Sequence, residues 1–191
     1  MTKILLLPLL AGLAGAALAA PATYQIDPAH TFPSFEADHF GGLSVWRGRF
    51  DHTSGTIVLD ADAKSGSVEV SVDTATVDFG NPKLNEHVKS AEMFDVAQYP
   101  TATYKGTLAN FKDGAPTEAH GQFTLHGVTH PLDLTIRSFK CIVNPMSKKQ
   151  VCGADVTGVL NRADYGISYG EKLGFKMDVK LLIQVEAIRA E

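Results

Sequence analysis

Apolar and polar residues alternate along most of the chain. Val68, Val70 and Val72 interleave with Glu69, Ser71 and Asp73, and Leu132, Leu134 and Ile136 interleave with Asp133, Thr135 and Arg137. Phe175, Met177, Val179, Leu181, Ile183 and Val185 share one parity near the end, with Lys176, Asp178, Lys180 and Gln184 on the other. A period of two sends successive side chains to opposite faces and predicts strands with one dry face and one wet face. Further strands are expected over 24–27, 31–39, 44–50, 55–60, 101–111, 119–126 and 151–161. Gly41-Gly42, Ser54-Gly55, Ser65-Gly66, Asp113-Gly114 and Asn144-Pro145 punctuate them as turns. Cys141 and Phe139 have the opposite parity to Leu132–Ile136, which a β-bulge near Arg137-Ser138 would reconcile. Only residues 82–91 read as a helix, with Leu84 and Val88 four apart, Asn81 as cap and Pro82 at the first position. Eight or more antiparallel strands with one short helix define an all-β fold, a sandwich or a closed barrel. The long final alternation suits the tilted strands of a barrel.

The first residues break this pattern. After Lys3, residues 4–20 carry no charge and are rich in Leu and Ala, ending in Ala17-Leu18-Ala19 before a polar sequence begins near Pro21. A basic start, an apolar run and a small-x-small site make residues 1–19 a secretory signal peptide, leaving residues 20–191 as a single domain. A membrane anchor fits less well, since the run is short and lacks stop-transfer charges. Export to an oxidising compartment gives the two cysteines their meaning. Cys141 and Cys152 flank the turn-like segment 144–149, so they read as a structural cross-strand disulfide rather than a redox pair, which would favour C-x-x-C spacing.

The charge balance removes one class of function. A net charge of -4 with no basic cluster argues against a nucleic-acid binder. Motifs for catalysis are weak. Gly166-Ile167-Ser168-Tyr169-Gly170 matches the nucleophile elbow, but a strand pattern follows it where that motif needs a helix, and no His follows the Ser. His120, His126 and His130 form the densest histidine group, yet residues six apart on a strand lie about 20 Å from each other, too far to share one metal. No paired carboxylates or phosphate-cradling Gly loop stand out, so neither an enzyme, a metal nor a cofactor is expected.

Six motifs in fixed order carry a resemblance. They are Tyr24-x-Ile26-Asp27-x-x-His30; Phe35-x-x-x-His39-x-Gly41; Arg47-Gly48-x-Phe50; the run from His87 to Asp95 followed by Tyr99-Pro100; the run Gly121-x-Phe123-Thr124-Leu125-His126-Gly127-Val128-Thr129-x-Pro131; and Asn161-Arg162-Ala163-Asp164-Tyr165-Gly166. With these, nearly the whole chain beyond residue 20 resembles the YceI-like polyisoprenoid-binding family. Met93 replaces a frequent second aromatic, and Pro33 interrupts a strand and implies an edge or bulge there.

The resemblance implies a lipocalin-like antiparallel β-barrel of about eight strands, periplasmic, holding a long isoprenoid or similar amphiphilic lipid. Candidate lipid-binding residues from strand parity and motif position are Phe35, Ala37, Trp46, Phe50, Val70, Phe94, Tyr104, Phe123, Leu125, Leu134, Leu160 and Ile183. His39 and Asp164, with Arg47 and Arg162, are candidates for a polar headgroup; Arg162 and Asp164 could instead form an ion pair that fixes a turn. The same apolar side chains could also fill a solid core. An enzyme acting on such a lipid, or a redox accessory working beside a membrane protein, are the alternatives to a binding protein. Residues 81–95 are expected to form a lid over one end of the barrel.

Overall fold

The computed structural model describes residues 20–191, so the leader expected over residues 1–19 lies outside the described residues. In chain order the elements are β1 (Ala22–Ile26), β2 (Phe32–His39), β3 (Ser44–Phe50), β4 (Thr53–Asp60), β5 (Ser65–Asp73), β6 (Val77–Asp78), α1 (Pro82–Lys89), β7 (Thr101–Ala109), β8 (Glu118–Leu125), β9 (Val128–Val143), β10 (Gln150–Asn161) and β11 (Asp178–Arg189). Every pairing is antiparallel, and β1 closes the sheet by pairing with both β4 and β11. The result is the expected closed barrel of eight strands, with one α-helix among the described residues.

Three walls of the barrel are strands broken by a corner. β1 and β2 lie end to end along β11, from Tyr24 opposite Arg189 to Ala37 opposite Val179. At their corner the Thr31 hydroxyl donates to the Glu186 carbonyl at 3.0 Å and accepts from the Glu186 amide at 3.1 Å, replacing the ladder bonds that the corner interrupts. Pro33 sits next to this corner, second in β2, where a missing N–H is tolerated. β3 and β4 form the second broken wall, β5 and β6 the third. β5 follows β7 only as far as Asp73 opposite Thr101, and β6 pairs with β3 alone, so the sheet parts at this level. α1 and the segment after it occupy that gap, with Leu84, Val88, Met93 and Phe94 packed on the core.

Local chemistry explains the remaining details. Asn81 caps α1 through its side chain, which accepts from the amides of Lys83 and Leu84. The helix stops at Lys89 rather than residue 91, because Ser90 is extended and its hydroxyl donates to the His87 carbonyl at 2.7 Å. The β9–β10 register passes from Ser138 opposite Asp155 to Ile136 opposite Val156, which leaves Arg137 as the extra residue of the expected bulge. β8 and β9 are joined by His126 and Gly127, both at positive φ, as a two-residue hairpin turn requires. The final strand starts later than its alternation suggests. Phe175 and Met177 precede β11 because the Lys176 amide donates to the Asp38 carboxylate, while Arg162 takes the Met177 carbonyl.

The two ends of the barrel are built differently. At one end, connections 61–64, 110–117 and 144–149 join β4 to β5, β7 to β8 and β9 to β10, and Tyr24, Ile26, Leu59, Cys152 and Ala187 form a compact apolar cluster. Cys141 and Cys152 stand directly opposite each other on β9 and β10 and are joined by the expected disulfide. At the other end lie the 40–43 turn, α1 and the long 162–177 connection.

Candidate functional site

The inward faces of the strands enclose one elongated cavity of about 490 Å³. Its wall is assembled strand by strand from the dry parity. β2 contributes Phe35, Ala37 and His39, β3 Trp46 and Phe50, β5 Val70, β7 Tyr104, and β8 Phe123 and Leu125. β9, β10 and β11 add Leu134, Leu160 and Ile183, and Phe94 enters from the segment after α1. All twelve apolar candidates, and His39, therefore face one space. The side chains do not interlock into a solid core.

Asp164 is the exception among the candidates. It does not line the cavity; it lies exposed in the turn after β10, and its backbone carbonyl accepts from the His130 ring at 3.1 Å. Two neighbours carry the contrast further. Arg47 points outward and pairs with Glu36 at 2.9 Å, because successive residues of β3 take opposite faces. Arg162 does line the cavity and is 8% exposed, but it makes no ion pair with Asp164. Its guanidinium donates instead to the carbonyls of Ile167 and Tyr169, both at 2.8 Å, and burial lowers its pKa. No carboxylate is within salt-bridge distance of Arg162 among the described residues.

Other polar groups on the wall are mostly spoken for. The Tyr104 hydroxyl donates to the Leu132 carbonyl at 3.1 Å, and burial pushes its pKa up to about 12. Thr53 is fully buried, and its hydroxyl is the one buried side-chain polar atom without a hydrogen-bond partner among the described residues. His39 is ringed by Phe40, Trp46 and Phe175 at centroid distances of 4.6, 5.1 and 5.2 Å. The motif glycine Gly48 makes room for this aromatic lining. A Cβ there would lie 2.7 Å from the Phe35 ring and 2.9 Å from that of Phe79.

The cavity has a mouth at one end. Of all its lining residues only Phe40, Tyr169 and Leu173 are exposed, and all three belong to the 40–43 turn and the 162–177 connection. Asp38 clasps these two segments. One carboxylate oxygen accepts from the amides of Gly41 at 2.8 Å and Lys176 at 3.0 Å, and the Lys176 bond foremost holds the carboxyl below its usual range. At the opposite end the lining residues Ile26, Pro116, Leu108 and Phe139 are buried or half-buried, so no exposed lining residue marks an opening there.

Sequence reasoning missed part of the lining. Phe79 follows the short β6, and Tyr169 and Leu173 lie in an irregular connection, so no periodicity marks them. Their only signal is their size. Phe175 shares the parity of the final alternation but is not among the candidates. The chemistry-bearing motifs resolve into structure. The Gly166–Gly170 stretch links two single 3-10 turns, with Gly166 and Gly170 both left-handed, not a strand and a helix. His126 donates to the Tyr165 carbonyl, and His120 lies between Asp133 and Glu118 on the outer wall. Among the described residues no three potential metal ligands converge.

A closed antiparallel barrel with one apolar cavity open at a single end defines a lipocalin-like binding fold. The YceI-like domain profile matches residues 24–187. A UPF0312 protein of Pectobacterium atrosepticum is 32% identical over 92% of this chain and 90% of its own length. Protein YceI of Escherichia coli is 31% identical over 92% of this chain and 91% of its own. The chain belongs to the YceI-like family. Among solved structures, the Campylobacter jejuni YCEI protein superposes with a TM-score of 0.66 at 23% identity, covering 78% of this chain and 88% of that one. A polyisoprenoid binding domain from Saccharophagus degradans superposes with a TM-score of 0.62 at 17% identity, covering 87% and 98%. Both share the fold.

Proposed function

We propose that this protein is a periplasmic carrier or scavenger of a long-chain isoprenoid, of quinone or polyprenyl type, with no catalytic role. The observation that carries this reading is the cavity: a space of about 490 Å³, walled by Phe, Leu, Val and Ile and open at one end. That volume falls within the range of small-molecule sites, whose lining is mostly apolar with a few placed polar groups. Each isoprene unit buries about five carbons, roughly 4 kcal/mol gross at 0.8 kcal/mol per carbon, so a few units offset the cost of ordering the chain. The tail lies along the barrel and the headgroup sits at the mouth, beside Arg162 and His39. The signal-peptide pattern of residues 1–19 and the disulfide support export. The name of the Saccharophagus degradans domain points to the same ligand class.

Organic extraction of the purified, exported protein followed by mass spectrometry tests the reading. A stoichiometric isoprenoid that stays chemically unchanged on incubation with the protein is the expected result. A protein that carries no lipid and takes none up from an isoprenoid mixture contradicts it.

A further inference from the structure

The mouth of the cavity exposes large apolar residues to solvent. Leu43 is 75% exposed and Leu173 is 59% exposed, each at the tip of a rim segment. Phe40 is 50% exposed and Tyr169 41%, and both also line the cavity. The two rim segments form one surface, because Phe40 stacks on Phe175 at 4.7 Å and the Asp38 carboxylate ties Gly41 to Lys176. A contiguous exposed apolar patch on a soluble domain marks a place where another apolar phase is met.

We infer that this rim docks on a phospholipid bilayer, with Leu43, Leu173, Phe40 and Tyr169 entering its surface so that a ligand passes from hydrocarbon to cavity without crossing water. The choice of a bilayer rests on the proposed function, since a long isoprenoid resides in membranes. It also rests on continuity, because Phe40, Tyr169 and Leu173 belong to the docking rim and the cavity wall at once. A docked protein partner would need neither feature.

Charge has a secondary part here. The rim segments carry Arg162, Lys172 and Lys176 against Asp164 and Glu171, with Asp38 beside them, a balance that gives little attraction to an anionic surface. Docking through apolar tips therefore persists at high salt, where surface electrostatics are screened. The opposite end supplies an internal control. Val143 and Met146 are also exposed, on the β9–β10 turn, but neither lines the cavity.

The test is flotation of the full mature protein with phosphatidylethanolamine–phosphatidylglycerol vesicles at low and high salt. The wild type and the paired variants L43D/L173D and V143D/M146D are compared, with lipid content measured on each preparation. We expect the wild type and V143D/M146D to float equally at both salt concentrations, and L43D/L173D to lose at least tenfold of its bound fraction. Both leucines are exposed, so that variant should fold. Because Leu173 also lines the cavity, its flotation is compared with the parent's on delipidated protein. The single variant L43D, at a residue outside the cavity wall, should hold lipid as the parent does and still lose flotation. Failure of the wild type to float, or equal flotation of L43D/L173D, overturns the inference. So does a wild-type dimer that L43D/L173D alone dissolves, which assigns the patch to a second copy of the chain. Lipid-loaded protein that never floats leaves the proposed function standing. Protein that floats but never carries lipid overturns that function instead.

Discussion

The two ends of the barrel are made from the same alternating strands and differ only in what joins them. At the closed end, Tyr24, Ile26, Leu59 and Ala187 of the paired strands β1, β4 and β11 form one buried cluster, and a disulfide clamps β9 to β10 beside them. At the open end, the sheet parts between β6 and β7, α1 fills the gap, and the long 162–177 connection spans β10 to β11. There the clasp is a single carboxylate, Asp38, and the outermost side chains are unpacked. The difference teaches that stability and binding are divided along the barrel axis. One end resists opening while the other stays ready to receive a ligand.

The sharpest way to break this comparison is to truncate one large side chain at each end. Tyr24→Ala removes a buried ring from the closed cluster and is expected to cost about 3–5 kcal/mol in denaturant unfolding. Phe40→Ala removes a half-exposed ring and is expected to change stability by no more than about 0.5 kcal/mol while altering ligand uptake. Equal costs at the two ends would erase the distinction.

The disulfide refines the same point. Reduction, or replacement of both Cys141 and Cys152 by Ala, frees the closed loop in the unfolded chain and should lower stability by about 2–3 kcal/mol. Ligand affinity of the protein that remains folded should be unchanged, because neither cysteine lines the cavity.

Arg162 tests the open end. Arg162→Gln breaks two bonds from a charged donor to the rim carbonyls, each worth about 1.5–3 kcal/mol, and loosens the 162–177 connection. It should also reduce any preference between anionic and neutral headgroups on the same tail. A variant that keeps both the rim geometry and that preference would show that Arg162 belongs to neither.

The smallest effect lies on the outer wall, between the two ends. Asp133 foremost, with Glu118, raises the pKa of His120 above its ordinary value. The stabilisation is therefore complete below the ordinary imidazole pKa and is lost as pH rises through the raised one. A shallow fall in the urea midpoint over that window, absent in His120→Gln, is expected. Ligand binding should not follow it.

How legible this molecule was depends on where the side chains sit. The barrel strands were legible because water on one side and an apolar space on the other impose a period of two, and the bulge at Arg137 showed as a parity break. The apolar wall followed from the same rule. Asp164 was misplaced because a residue in a turn has no parity to read, and its neighbour Arg162 turns inward only through bonds to Ile167 and Tyr169. The mouth was not legible for the same reason. Phe40, Leu43 and Leu173 look like ordinary loop residues until the fold brings the two rim segments together. Alternation marks which face is dry but does not separate a packed core from a hollow one, a distinction that rests on how the walls are spaced in the fold.

Trp46, the single tryptophan of the chain, faces the cavity and offers the most direct measurement of the central claim. Delipidated protein is titrated with isoprenols of increasing chain length while the Trp46 emission is followed. Each added unit should tighten binding by at least tenfold, since its roughly five carbons leave water for an apolar wall, until the cavity is filled and further units add nothing. An unchanged emission, or an affinity independent of chain length, would contradict the account.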